Sequence, residues 1–347
     1  MLSSHGYAAM SRGEPLRPYS FARREPGPDD VVIDIKYCGV CHTDVHHVRN
    51  WGVGMFPLVP GHEIVGTVAR VGASVTKFRR GDVAAVGSIA DSCRSCATCD
   101  EGLEQYCEEG HFVAVYRGLD RDGRRNYGGY SSNIVIDERY ALKLHPHVDL
   151  APTAPLLCAG ITTYSPLKHW KVGPDSAVAI VGLGGLGHMA LKIAKALGAS
   201  VSVFTSSAAK VENARRLGAD EVVLLAAPGG AGSKMRQFDL ILDTVSASHD
   251  VNAYFDALRR DGTLVMLGIP KEPLSIAPFF LEKKRLSLAG SLVGGIEETQ
   301  EMLDFCDTHH IAADIEVISM QDINLAHERL LKNDVRYRFV IDMTTLQ

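Results

Sequence analysis

The chain has 347 residues, 46% of them hydrophobic and 22% charged, which is the composition of a soluble globular protein long enough for two separately packed domains. A net charge of −5, from 36 basic and 41 acidic residues, argues against a nucleic-acid partner, and no basic stripe with interleaved aromatic residues is present. No apolar run reaches the roughly 18 residues that span a bilayer, Met1–Tyr7 lacks the pattern of a signal peptide, and a reducing cytoplasm is the expected compartment, where eight cysteines point to metal binding more than to disulfides.

Up to about residue 150, short β-rich runs alternate with glycine and proline, which predicts an irregular β domain. Its strands are expected at Val31–Tyr37, Ile64–Val71, Asp82–Val86 and Asn133–Asp137. Within it, Cys93, Cys96, Cys99 and Cys107 form a C-x2-C-x2-C-x7-C array. Four thiolates on one short loop can wrap a tetrahedral ion and leave no open position, the mark of a structural zinc site. Ferredoxin-type runs share the C-x2-C-x2-C start, but there the fourth ligand lies elsewhere and a proline is usually near. Here the flanks are acidic and polar (Asp91, Asp100, Glu101, Glu104), which suits an exposed lobe. A closed site carries no chemistry of its own.

After Pro155 the texture changes. Strands are predicted at Ala177–Val181, Ser200–Thr205, Glu221–Leu225, Phe238–Thr244, Gly262–Gly268 and Arg285–Gly290, with helices at His188–Leu197 and Ala208–Leu217. This alternation predicts an α/β, doubly wound parallel sheet. The first strand runs into Gly182-Leu-Gly184-Gly185-Leu186-Gly187 and then a helix. In that setting the glycines allow a tight turn, close approach of a pyrophosphate and close helix–sheet packing, with free N–H groups at the helix start for the phosphates. An NAD site would place a carboxylate at the end of the second strand. This chain has Thr205, Ser206 and Ser207, then Lys210, which suit a 2′-phosphate and favour NADP(H); the same serines would also serve as an ordinary helix cap. The tail, with helices at Glu298–His309 and Asp322–Leu331 and a strand at Arg338–Asp342, is expected to return to the first domain.

Three further segments hold metal-ligating residues: Cys38-Gly-Val-Cys41-His42-Thr43-Asp44-Val45-His46, Gly61-His62-Glu63 and Cys158-Ala-Gly160. They resemble the zinc-binding motifs of the medium-chain alcohol dehydrogenase superfamily, and the likeness takes in the four-cysteine lobe, the glycine fingerprint and the closing Arg338–Asp342. Leu156–Tyr164 and Gly290–Gly295 resemble its cinnamyl alcohol dehydrogenase branch, with the bacterial broad-range aldehyde reductases, a branch that uses NADP(H).

The resemblance implies a Rossmann domain at 156–292 and a GroES-like catalytic domain at 1–155, carrying the structural zinc lobe at about 91–110 and completed by a return segment at 293–347. It implies a catalytic zinc held by Cys41, His62 and Cys158, with Glu63 as an alternate ligand and Asp44 orienting His62. Thr43 and His46 take the proton-relay positions, which suits a hydroxyl that donates and accepts and a histidine that titrates near neutrality. His47, being adjacent, is expected to point away and lie at the surface. His42 and Arg338 match positions at the pyrophosphate, Thr162 one near the nicotinamide, and Gly268 is a further expected cofactor contact. Trp51 is placed on an aromatic wall of the substrate pocket, within a loop, Asn50–Met55, that is shorter than usual.

The expected function is a zinc-dependent NADP(H) alcohol dehydrogenase working mainly as an aldehyde reductase on aromatic or aliphatic aldehydes, with two zinc ions per chain and a homodimer as the family norm. A polyol dehydrogenase would carry the acidic residue missing after the second strand, and a non-catalytic NADPH-binding relative would have no use for Cys41, His62, Cys158 and the relay. His145, His147, His249, His309 and His310 show no metal spacing and receive no role. Cys38 and Cys306 read as buried apolar residues.

Overall fold

The structure, a computed structural model, describes residues 1–51, 55–120, 123–225 and 237–346. It divides into two compact units, Met1–Cys158 with Gly294–Gln347, and Ala159–Val293.

The first unit is built on the strand Asp30–Val40. Val31, Val32, Ile33 and Ile35 are buried while Asp34 and Lys36 face solvent, so the apolar run fixes which side meets the core. One edge pairs antiparallel with Ile64–Val71. The other edge is shared: its first half takes Asn133–Asp137 and its second half Arg338–Asp342. The chain's last strand therefore fills the place beside Cys38–Val40, and Ile315–Ser319 adds to it in parallel. Ile33, Leu58, Ile64, Tyr130 and Phe339 lie at the centre of the core. At the end of the central strand the chain turns into a short helix, His42–His46, followed by a π-helical turn, His47–Trp51.

The second unit holds a six-stranded sheet, all of its pairs parallel. In space the order is Glu221–Leu224, Ser200–Thr205, Ala177–Val181, Phe238–Asp243, Leu258–Met266 and Ser287–Gly290, so the first strand lies between the second and the fourth. All five residues of Ala177–Val181 are buried, as a strand covered on both faces requires.

Several elements carried no readable signal. The hairpin Leu2–Ala8 with Arg17–Arg23 is mostly polar in sequence. The strand Ile315–Ser319 is only partly buried. The helix Ala159–His169 is masked by the β-branched run Ile161-Thr-Thr163 and by Pro166 inside it. It is buried on all sides, so it shows no amphipathic period. The helix of the glycine fingerprint starts at Gly185 rather than His188, because its glycines form the first turn. The fifth strand starts at Leu258 and not at Gly262, carrying exposed Arg259, Arg260 and Asp261 in an irregular stretch of register. No described helix is long and apolar enough to cross a membrane.

Candidate active site and metal centres

Cys41, His62, Glu63 and Cys158 offer one donor atom each, and these atoms all lie within 4.8 Å of one another. All four residues are buried. Cys41 comes from the end of the central strand, where it caps the helix His42–His46. His62 and Glu63 immediately precede the paired strand Ile64–Val71. Cys158 arrives at the end of the 3-10 turn Ala154–Leu157.

Asp44 organises this set from beneath. Fully buried, it accepts from the N–H of Cys41 and of Gly61, each at 3.0 Å, and its Oδ1 lies 3.0 Å from Nδ1 of His62. The same carboxylate thus caps a helix and fixes an imidazole, leaving Nε2 for the donor cluster. Burial disfavours its charge, but His62 and the N–H of Cys41 outweigh that and hold the carboxyl below its usual range.

The glycine of C-G-V-C has a role as definite as its cysteines. A Cβ on Gly39 would fall 1.9 Å from Oε2 of Glu63, so only glycine lets that carboxylate lie flat against the strand. Oε1 of Glu63 pairs with Arg338, also buried, on the closing strand. Oε2 has no hydrogen-bond partner. Burial pushes the Glu63 carboxyl up to about 7 against the pull of Arg338.

The electrostatics of the set follow from burial and from the contacts among its members. The Cys41 and Cys158 sulfurs are 3.9 Å apart, within hydrogen-bonding distance of each other. That contact, against the effect of burial, holds the Cys41 thiol well below its usual range, and the contact together with burial pushes Cys158 well above. Burial disfavours a charged His62, yet Asp44 and Cys41 outweigh it and raise the imidazole well above its ordinary value. Two cysteine sulfurs, an imidazole and an unpartnered carboxylate oxygen, converging within 4.8 Å, make a donor set that fits zinc.

The quartet Cys93, Cys96, Cys99 and Cys107 forms a second donor cluster of the same span. Its sulfurs pair at 3.8 Å (Cys93–Cys99) and 4.0 Å (Cys96–Cys107). The N–H groups of Ser95 and Cys96 point at the Cys93 sulfur, at 3.5 and 3.3 Å. Arg94, in the left-handed region, ties the lobe to Asp91 and Asp137 and lies over the ring of Tyr140. Glu104 accepts from the N–H of Ile296 at 3.0 Å, joining the lobe to the return segment.

The other expected residues fall as follows. Thr43 and His46, both half-buried, lie on the helix that Cys41 caps, three positions apart. The Trp51 ring stacks on His46 at 4.7 Å and meets His47 edge-on at 5.3 Å. Residues 52–54 of its loop lie outside the described residues. His42 is half-buried, and burial lowers its pKa. His47 is a correction: it is 3% exposed, not at the surface. It is enclosed by the rings of Trp51 and Tyr116, and burial, with Arg117 nearby, lowers its pKa to about 4. Tyr116, whose ring lies 5.9 Å from that of His62, was not singled out from sequence, since a lone tyrosine in a loop carries no spacing signal.

In the second unit, Gly184 caps the helix Gly185–Ala196, and a Cβ there would meet nothing within 4 Å, leaving room for a ligand. A Cβ on Gly187 would fall 2.1 Å from the carbonyl oxygen of Gly182, so this glycine is needed for helix–strand packing. Leu186 is half-buried. Thr205 is buried and accepts from the N–H of Ser207 at 3.2 Å, Ser206 is exposed, and Lys210 is half-buried with its pKa lowered by burial. Thr162 is buried on Ala159–His169, and Gly268 donates its N–H to the carbonyl of Asp243 at 3.0 Å.

Residues 27–146 match the alcohol dehydrogenase GroES-like domain, and residues 185–308 match the zinc-binding dehydrogenase domain. The aldehyde reductase YahK of Escherichia coli is 52% identical over 342 residues, covering 97% of each chain. The NADP-dependent alcohol dehydrogenase C 1 of Mycolicibacterium smegmatis is 50% identical over 348 residues, covering 100% of each. Among solved structures, a cinnamyl alcohol dehydrogenase of Sorghum bicolor superposes with a TM-score of 0.95 at 42% identity, covering 99% of each chain. The chain belongs to the zinc-dependent medium-chain alcohol dehydrogenase family and is an oxidoreductase of the branch that holds the cinnamyl alcohol dehydrogenases and the NADP-dependent aldehyde reductases.

Proposed function

We propose that the chain transfers hydride between NADP(H) and aldehydes, working mainly as an aldehyde reductase that yields primary alcohols. The observation that carries this is the buried set Cys41, His62 and Cys158, held from beneath by Asp44. Bound by these three residues, zinc would supply Lewis acidity toward a carbonyl oxygen and keep one position open.

The remaining roles belong to side chains. Asp44 fixes the ring of His62. Glu63, with one oxygen on Arg338 and the other unpartnered, is the reserve ligand of the set. Thr43 holds a proton at its hydroxyl for the carbonyl oxygen, and His46 exchanges it with solvent. Trp51, stacked on His46, forms an aromatic wall suited to benzaldehyde-like or cinnamaldehyde-like substrates. His42 and Arg338 serve the pyrophosphate, with Gly182, Gly184, Gly185, Leu186 and Gly187. Thr162 and Gly268 serve the nicotinamide end, while Thr205, Ser206, Ser207 and Lys210 serve the 2′-phosphate.

The reading includes a second, structural zinc on Cys93, Cys96, Cys99 and Cys107, a cytoplasmic location and a homodimer. The last is supported by the edge strand Ser287–Gly290 and by exposed Ile269, Phe279 and Leu292 in the same unit.

Elemental analysis and the loss of NADPH absorbance with benzaldehyde and cinnamaldehyde test the proposal together. Two zincs per chain and turnover are expected; one zinc and no turnover would overturn it. For the coenzyme, Ser206→Asp is the cleaner probe, because a carboxylate in place of buried Thr205 would also disturb folding. It should weaken NADPH relative to NADH by like-charge repulsion, and an unchanged preference would move the phosphate site elsewhere.

A further inference from the structure

Away from the two thiolate clusters, the first unit brings two histidines of one turn against the end of a distant helix. The turn His145–Val148 is closed by the N–H of Val148 donating to the carbonyl of His145 at 3.1 Å, with Pro146 at its second position, where the fixed φ of proline suits a β-turn. The rings of His145 and His147 stack, with centroids 5.6 Å apart and planes 19° from parallel. Opposite them stands Asp307, in the last turn of the helix Ile296–Thr308. Nε2 of His147 lies 3.0 Å from Oδ1 of Asp307, and Nε2 of His145 lies 3.9 Å from Oδ2. His310, just beyond the helix, and Asp304, one turn before Asp307, line the same cavity of about 240 Å³. Lys143 also lines it, and that ammonium is paired with Asp82 at 3.4 Å.

We propose that His145, His147 and Asp307 form a surface site for a first-row divalent cation, separate from both thiolate clusters and independent of the proposed activity. Zinc–nitrogen and zinc–oxygen bonds of about 2.0–2.2 Å imply donor–donor separations of about 3.3 Å in a tetrahedral site. Each imidazole faces its own oxygen of Asp307, at 3.0 and 3.9 Å, so the three donors must draw together to share one ion. Two imidazoles and one carboxylate select Zn²⁺, Ni²⁺ or Cu²⁺ over Mg²⁺ or Ca²⁺, which prefer oxygen alone. The imidazoles are 59% and 70% exposed, so they can close on an ion by rotating their side chains while the backbone stays fixed. Water completes the sphere. The ion pins the turn at 145–148 to the end of the helix at 296–308.

The test uses the enzyme with its native metals, their content first fixed by elemental analysis. Calorimetric titration with Ni²⁺ should show one further ion per chain. His147→Ala or Asp307→Asn should weaken it about 10–100-fold. His309→Ala, a control on the neighbouring ring that packs against Phe305, should leave it unchanged. With Cu²⁺, electron paramagnetic resonance should show coupling to two nitrogens in the wild type and to one fewer in His145→Ala. No additional ion, or equal uptake by wild type and both variants, would overturn the proposal and leave the three residues as an exposed ion pair. A chain that takes Ni²⁺ here but turns over no aldehyde would sink the functional reading and leave this site standing.

Discussion

The two cysteine clusters are built in opposite ways. Cys93, Cys96, Cys99 and Cys107 lie within fifteen residues, all but Cys96 partly exposed, on a loop whose own N–H groups turn toward sulfur. Cys41 and Cys158 are 117 residues apart, fully enclosed, and brought to His62 by a central strand, the turn before a paired strand and a 3-10 turn. The local cluster offers four sulfur donors, with the hydroxyls of Thr98 and Ser92 beside the sulfurs of Cys96 and Cys99 at 3.2 and 3.3 Å. The long-range one rests on Asp44 and is flanked by a carboxylate, Glu63, with a free oxygen. A site assembled by the fold can be surrounded with groups that tune it, whereas a site closed on itself can only hold.

The largest effect that would break this contrast comes from Cys158→Ser. It should reduce aldehyde turnover by about 10³-fold, on the scale of losing a main electrostatic element, and lower the metal content by one ion. Its melting temperature should stay within a few degrees of wild type. Turnover near normal would show that Cys158 is no part of the chemistry.

Cys107→Ser should do the reverse: lose the other ion and lower the melting temperature by well over about 5 °C, with kcat per folded molecule close to wild type, since structural zinc contributes directly to folding. Differential scanning calorimetry beside active-site titration separates the two quantities. A pure loss of kcat would erase the contrast.

Asp44→Asn keeps the size and one acceptor but removes the charge behind His62. Metal affinity or activity should fall about 10–100-fold, measured by competition with a chelator. Gly39→Ala forces a methyl group onto Oε2 of Glu63 and should cost about 1–3 kcal/mol in chemical denaturation, as overpacking does elsewhere. Unchanged stability would mean that Glu63 has another place to go. The smallest effect is expected from Arg94→Ala at the base of the lobe. Its pairs with Asp91 and Asp137 are half-buried, and a loss of about 1–2 kcal/mol should appear without change in kcat.

Much of this chain could be read directly. The parallel sheet was legible because its strands are short apolar runs separated by helices, and the fingerprint because Gly182, Gly184 and Gly187 sit between a strand and a helix. The helix Ala159–His169 was not, since a helix buried all round has no periodicity to detect. His47 was misplaced because adjacency on a short helix suggests opposite faces, while the π-helical turn that begins at His47 directs it inward between Trp51 and Tyr116.

The sequence by itself determined what depends on neighbours along the chain: the cysteine lobe, the glycine turn and the Thr205–Ser207 run after the second strand. The resemblance of its motifs supplied the family. Only the tertiary structure decided what depends on distant segments meeting in space. It made Asp44 both a cap and the partner of His62, it set Gly39 against Glu63, and it stood His145 and His147 before Asp307. Each of these joins residues far apart in the chain, or depends on the direction a side chain takes from its element, and spacing along a sequence records neither.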